Sequence, residues 1–165
     1  NLEKESPMHR IPVATIMQRP VITIHPEATV TDASELMDDL NIRRLPVLDE
    51  DGCLVGIVTD TDVLEAETAH SVLNSYERSA EGEWLTVADI MTREVITIDV
   101  NAKVGELAIQ MMAHKIGGLP VMQYDESHCN QQRLVGIVTE TDIFRMIADA
   151  WRAEHTAVEA AAASN

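Results

Sequence analysis

Four residues carry the chemistry that this sequence offers most openly: Thr59 and Asp62, and Thr139 and Asp142. They close two nonamers, LVGIVTDTD (54–62) and LVGIVTETD (134–142), which differ only at Asp60 and Glu140. A threonine followed three residues later by an acid is a helix-capping pattern, because hydroxyl and carboxylate satisfy backbone amides of the first turn. The same pair can also bind. A strand that feeds a helix leaves an anion site at the helix N-terminus, and the glycine of GIVT lets backbone approach a ligand closely. A carboxylate placed there can accept from both hydroxyls of a ribose. Capping and binding are compatible roles for one threonine.

Other constellations are thin. No Gly-x-Ser-x-Gly, phosphate loop, His-Glu-x-x-His or dinucleotide fingerprint is present. The repeated carboxylates have no general acid or nucleophile at a recognisable spacing. No catalytic residue is therefore assigned, and the chain is read as a non-enzyme. Asp125, Glu126, His128 and Cys129 are metal-ligating types, but their loose spacing reads as a solvated loop, and no metal site is assigned. His25, His114 and His155 have no partner discernible in the sequence.

The elements that position the nonamers repeat as well. VATIMQRPVITI (13–24) aligns with VADIMTREVITI (87–98) at an offset of 74, with 9 of 12 positions identical. The same offset carries Val30 to Val104, Met37 to Met111, Ile42 to Ile116 and LPV (45–47) to LPV (119–121). The offset then becomes 80, because DEDGC (49–53) grows to QYDESHCNQQR (123–133), a loop insertion of six residues. Such a duplication organises the whole chain.

Each copy is expected to run strand, helix, strand, strand, helix. VITI is a short β-branched strand, followed by a helix with Val30, Ala33, Met37 and Leu40 on one face and a capping box from Thr29 and Asp32. LPVL and LVGIV are strands joined by an Asp-Gly turn. The last helix opens at Thr59, and in the second copy at Thr139, running toward Arg152. The boundaries read from this pattern are repeat 1 at 8–70, a polar join at 71–86, repeat 2 at 87–152, and a tail at 153–165. The tail's AVEAAAASN either extends the last helix or stays disordered.

Composition narrows the function classes. The chain has 165 residues, 45% hydrophobic and 3% aromatic, so the core is built from Val, Ile, Leu, Met and Ala. With 28 acidic and 12 basic residues the formal charge is −16, which disfavours nucleic acid or an anionic membrane as partner. No apolar run reaches the roughly 18–20 residues of a membrane span, and the N-terminus does not read as a signal peptide. The first residue, Asn1, is expected to mark a trimmed or partial chain. Cys53 and Cys129 are too sparse for a secreted disulfide scaffold, so reduced thiols in a cytoplasmic protein are expected.

Taken together, xxIM…VITI, LPV and GIVTxTD, present in both copies over about residues 11–150, resemble the cystathionine-β-synthase (CBS) domain pair, or Bateman module. The resemblance implies an α/β (α+β) fold: tandem β-α-β-β-α repeats packed sheet to sheet with pseudo-twofold symmetry and two clefts. It implies a regulatory module whose ligand is adenosine-containing (AMP, ADP, ATP or S-adenosylmethionine) and is no resident cofactor. It further implies a homodimer through CBS pairs and a separate output partner that the sequence does not name. Two alternatives stay open: a structural or dimerisation module without a physiological ligand, and a regulatory fragment of a larger enzyme or transporter.

Site residues follow from the same resemblance. The motif aspartates Asp62 and Asp142 would grip ribose, and Thr59 and Thr139 would approach phosphate. Adenine would be held by the VITI segment of the opposite copy, so Val95 and Ile96 serve the Asp62 cleft and Val21 and Ile22 the Asp142 cleft. Ordinary core packing is the alternative for these four. Before LPV the family often carries basic residues, and here the copies diverge into Arg43-Arg44 and Gly117-Gly118. Two guanidiniums beside a helix start can neutralise a phosphate; surface pairing with Asp38, Asp39 or the acidic run at 49–51 is the alternative. The second cleft retains only Lys115. The Asp62 cleft is thus expected to favour phosphorylated adenosine, and the Asp142 cleft to be weaker, empty, or suited to a less charged ligand.

Overall fold

The computed structural model describes residues 7–74 and 85–163, so most of the polar join lies outside the described residues. The elements are α1 (Val13–Ile16), α2 (Val30–Leu40), β1 (Arg44–Leu48), β2 (Leu54–Thr59) and α3 (Asp60–Asn74). They continue with α4 (Val87–Ile90), β3 (Ile98–Asp99), α5 (Val104–His114), β4 (Gly118–Tyr124), β5 (Gln132–Thr139) and α6 (Glu140–Ala163). The fold is mixed α/β with two small sheets. Among the described residues, no helix is long and apolar enough to cross a membrane.

The chain packs as two compact units, and neither coincides with one sequence repeat. The first comprises Asn1–Val21, Thr97–Gln123 and Leu134–Asn165; the second comprises Ile22–Ile96 and Tyr124–Arg133. Each repeat lends its opening segment to the other. In the first unit Val13 N donates to Ala102 O (2.8 Å) and Val104 N to Ile11 O (2.9 Å). In the second, Val87 N donates to Ala28 O (2.8 Å) and Val30 N to Leu85 O (2.9 Å). Val13 and Val87, equivalent in sequence, are fully buried in these exchanged positions.

In the second unit β1 and β2 form an antiparallel pair with Arg44 opposite Thr59, and a bulge falls between Val47 and Leu48. Ile24 joins β1 as a parallel bridge to Val47, and Thr92 bridges Ile57 on the far side of β2. The core beneath is Ile24, Val30, Ala33, Met37, Leu45, Val47, Val58, Val63 and Val87. In the first unit the sheet order is β3-β4-β5, with β3 parallel to β4 and Gln18 bridging Ile137. Its buried residues include Val13, Met17, Ile98, Val104, Leu107, Leu119, Val121 and Val138.

Two sequence expectations need correction here. The VITI segments are extended, but only their ends pair: Ile24 in one copy, Ile98 and Asp99 in the other. β-propensity favours the extended chain, whereas a ladder needs a neighbouring strand, and β1 and β4 reach only the last residues of each VITI. The glycines of GIVT do not leave room for a ligand. A Cβ on Gly56 would collide with the Met91 side chain, and one on Gly136 with that of Met17. These glycines admit the exchanged opening segments, which lie against β2 and β5.

Local signals elsewhere hold. Thr29 and Asp32 form the capping box on α2, with Asp32 N donating to Thr29 Oγ1 (3.0 Å) and Thr29 N to Asp32 Oδ2 (2.9 Å). The alanine-rich tail extends α6 through Ala163, in line with alanine's helix propensity.

The expectation of free thiols is overturned. Cys53 and Cys129 form a disulfide, Cα–Cα 5.7 Å, within the second unit. The six inserted residues of repeat 2 bring Cys129 to the start of β2, a pairing that their spacing of 76 residues does not announce. The inserted loop is further ordered by Asp125, whose Oδ1 accepts from Ser127 N (3.0 Å) and Ser127 Oγ (2.6 Å). Those bonds hold the Asp125 carboxyl below its ordinary range, helped by His128 and Arg133 nearby.

Candidate functional site

The Thr-x-x-Asp motifs sit where β2 passes into α3 and β5 into α6. At the first, Asp62 Oδ2 accepts from the Thr59 amide (2.8 Å) and the Thr59 hydroxyl (2.8 Å), while Asp62 N donates to Thr59 Oγ1 (3.2 Å). At the second, Asp142 Oδ2 accepts from the Thr139 amide (2.8 Å) and hydroxyl (3.0 Å). Thr86 and Asp89 make the same arrangement at the start of α4, where no ligand role was expected. In every case the carboxylate caps the threonine amide with only one of its oxygens, and at Thr59 the hydroxyl also accepts from Asp62 N.

Around Asp62 the second unit gathers residues from both repeats. Arg43 O accepts from Asp60 N (3.0 Å), fixing Arg43 beside the first residue of α3. Arg44 is the cross-strand partner of Thr59. Val95 and Ile96, half-buried, belong to the same unit although they come from repeat 2. All six residues expected at this site thus fall in one packing unit: Thr59, Asp62, Arg43, Arg44, Val95 and Ile96.

The Asp142 site is built differently. Gly117 O accepts from Glu140 N (3.0 Å), repeating the Arg43–Asp60 contact without a side chain. Lys115 is exposed and caps α5 in the left-handed conformation, φ 54°, as Asn41 does for α2 at φ 50°. Val21 shares the first unit with Thr139, Asp142 and Lys115, whereas Ile22, 40% exposed, falls in the second.

Two residues that the sequence reading did not single out reach Asp142. Gln18 Nε2 donates to Asp142 Oδ1 at 2.8 Å, and Arg145 Nη1 donates to the same oxygen at 3.1 Å. With four donors on it, the Asp142 side chain is 1% exposed. A signal existed: at the equivalent positions the other copy carries Thr92 and Glu65.

Comparison with known proteins fits this architecture. The CBS domain family matches twice, over residues 13–69 and 87–149. The chain belongs to the CBS domain family. Its CBS pair is 34% identical over 134 residues to an L-aspartate semialdehyde sulfurtransferase of Methanocaldococcus jannaschii, covering 81% of this chain but 23% of that enzyme. It is 31% identical over 139 residues to a CBS domain-containing protein of Dictyostelium discoideum, covering 84% of this chain and 92% of that one. Among solved structures it resembles a CBS domain pair in complex with 5′-methylthioadenosine and S-adenosyl-L-methionine. That likeness has a TM-score of 0.70 and 33% identity, over 86% of this chain and 98% of the other.

Proposed function

We propose that this CBS pair is a regulatory module that senses an adenosine-containing ligand (AMP, ADP, ATP or S-adenosylmethionine). The ligand's ribose hydroxyls bond to the outer oxygen of Asp62. Arg43 and Arg44 receive phosphate, toward which the Thr59 hydroxyl turns its proton from Asp62 Oδ2, and Val95 and Ile96 flank the base. In the first unit Thr139 and Asp142, with Lys115 and Val21, are the corresponding residues. The observation that carries this reading is the assembly of Thr59, Asp62, Arg43 and Arg44 with Val95 and Ile96 of the other repeat in one unit. The solved CBS pair holding 5′-methylthioadenosine and S-adenosylmethionine supports the ligand class. No reaction is assigned to the chain. The ligand is a signal, passed on by differential affinity for two states of the module.

Thermal shift with each of the four ligands tests the proposal. A ligand present at about 100 times its dissociation constant adds roughly 2.7 kcal/mol of apparent stability. The shift is expected with wild type and lost, at the first site, in Asp62→Ala. No shift with any of the four overturns the reading.

Self-association accompanies this function. α6 exposes Phe144 (65%), Ile147 (46%), Trp151 (63%) and Val158 (68%), spaced three, four and seven residues apart along one helical face. Such a stripe is suited to pairing with a second copy. Sedimentation is expected to give a dimer that Trp151→Glu dissociates, and a monomeric wild type excludes it.

A further inference from the structure

The two nonamers are almost identical, yet their aspartates are differently engaged. Among the described residues, Asp62 accepts only from Thr59 and leaves Oδ1 without a hydrogen bond. Asp142 Oδ1 holds the Gln18 amide and the Arg145 guanidinium, and the carboxylate is closed off from solvent. The contrast is written into the sequence. Thr92, in the place of Gln18, exchanges backbone bonds with Ile57 (2.9 and 3.0 Å). Glu65, in the place of Arg145, is an exposed carboxylate that has nothing to donate.

A ribose presents two O–H donors to a carboxylate. Gln18 and Arg145 present two N–H donors to that same group, one of them charged, and charge-assisted bonds are the stronger kind. We infer that the Asp142 site is self-capped: Gln18 and Arg145 stand where ligand hydroxyls would bond, so each chain takes one adenosine-type ligand, at Asp62. This rests on the ligand class proposed above and adds which site accepts it. A ligand entering at Asp142 has to displace both donors, and a buried carboxylate stripped of its partners is costly. Arg145, whose side chain is 58% exposed, projects from α6, while the backbone of Gln18 is bonded to Ile137 (2.8 and 3.1 Å), which places its amide within reach of Asp142. Gln18 and Arg145 together set the stoichiometry.

Titration calorimetry of the full chain with AMP, and separately with 5′-methylthioadenosine, tests this. Wild type is expected to bind one molecule per chain, and Asp62→Ala none. Gln18→Thr combined with Arg145→Ala is expected to bind two, and the same pair in an Asp62→Ala background one. Circular dichroism verifies folding, and Gln18→Thr alone, which restores the residue of the other copy, serves if the double variant does not fold. Two wild-type sites of similar affinity, one lost with each aspartate, overturn the self-capping and leave the ligand class intact. A folded Gln18→Thr/Arg145→Ala protein that still binds only one molecule also overturns it. If neither compound binds wild type or any variant, the ligand class itself falls, and self-capping with it.

Discussion

At the scale of single residues, the two sites differ by what surrounds two nearly identical motifs, and this governs selectivity for phosphate. Arg43 lies beside the first residue of α3 and Arg44 opposite Thr59, while the second copy has glycines at both positions. A guanidinium bonded to phosphate is worth about 1.5–3 kcal/mol, since one partner is charged. Arg43→Ala and Arg44→Ala are therefore expected to weaken AMP binding by roughly 10- to 100-fold each. Affinity for 5′-methylthioadenosine, which has no phosphate, should stay within a factor of about three. Calorimetry with the two ligands checks this, and equal losses for both would reassign the arginines to a structural role. The sequence made Thr59, Asp62 and Arg43-Arg44 legible because each stands in a short local pattern. Gln18 and Arg145 were not, for a physical reason: Gln18 meets Asp142 across 124 residues, a contact that only the packing of the exchanged opening segment creates.

At the scale of elements, the repeat foretold α2, α3, α5 and α6 and the β1, β2, β4 and β5 strands, whose periodicity is local, but not the short helices α1 and α4. It did not foretell that residues 11–18 and 85–92 leave their own repeat, because an offset alignment carries no information on which copy a segment packs against. The glycines record the exchange. Gly56 and Gly136 receive Met91 and Met17, with Thr92 O and Gln18 O only 3.1 and 3.3 Å from an added Cβ. Gly56→Ala and Gly136→Ala are expected to cost about 1–3 kcal/mol each through overpacking. Urea denaturation measures it, and a neutral result would show that the methionines yield freely. The helix starts add a pH dependence. Asp32 and Asp89 have carboxyls below the ordinary 3.8, chiefly because the Thr29 and Thr86 amides bond to the charged form. A carboxyl depressed in the folded state stabilises above its unfolded value, and that contribution disappears as pH falls through the folded one. The melting temperature should therefore hold steady down to about pH 5 and decline below about pH 4, and Asp32→Asn with Asp89→Asn should flatten the decline. An acid limb identical to wild type would remove these caps from the account.

At the scale of the whole molecule, the chain carries a −16 charge and a covalent link that composition argued against. Two cysteines in 165 residues read as reduced thiols because such sparse usage fits a reducing compartment; the pairing arises from the inserted loop, whose path is not encoded in spacing. The bond has a particular position. Cys53 immediately precedes β2, and Cys129 begins the turn that leads into β5. Within the second unit it ties the start of β2, whose far end carries Thr59, to the inserted loop. A link between residues 76 apart in sequence removes a large share of unfolded-chain freedom, commonly about 2–4 kcal/mol. For a chain of this size that is roughly 5–15 °C in melting temperature. Cys53→Ser is expected to melt that much lower than wild type in non-reducing buffer, and a phosphine reductant should bring wild type to the same value. The reductant should leave Cys53→Ser unchanged, which separates loss of the bond from any other effect of the reagent. Thiol titration of denatured, untreated protein should find no free cysteine. Two free thiols, together with a melting temperature indifferent to reductant, would return the molecule to the reduced state that its composition first suggested.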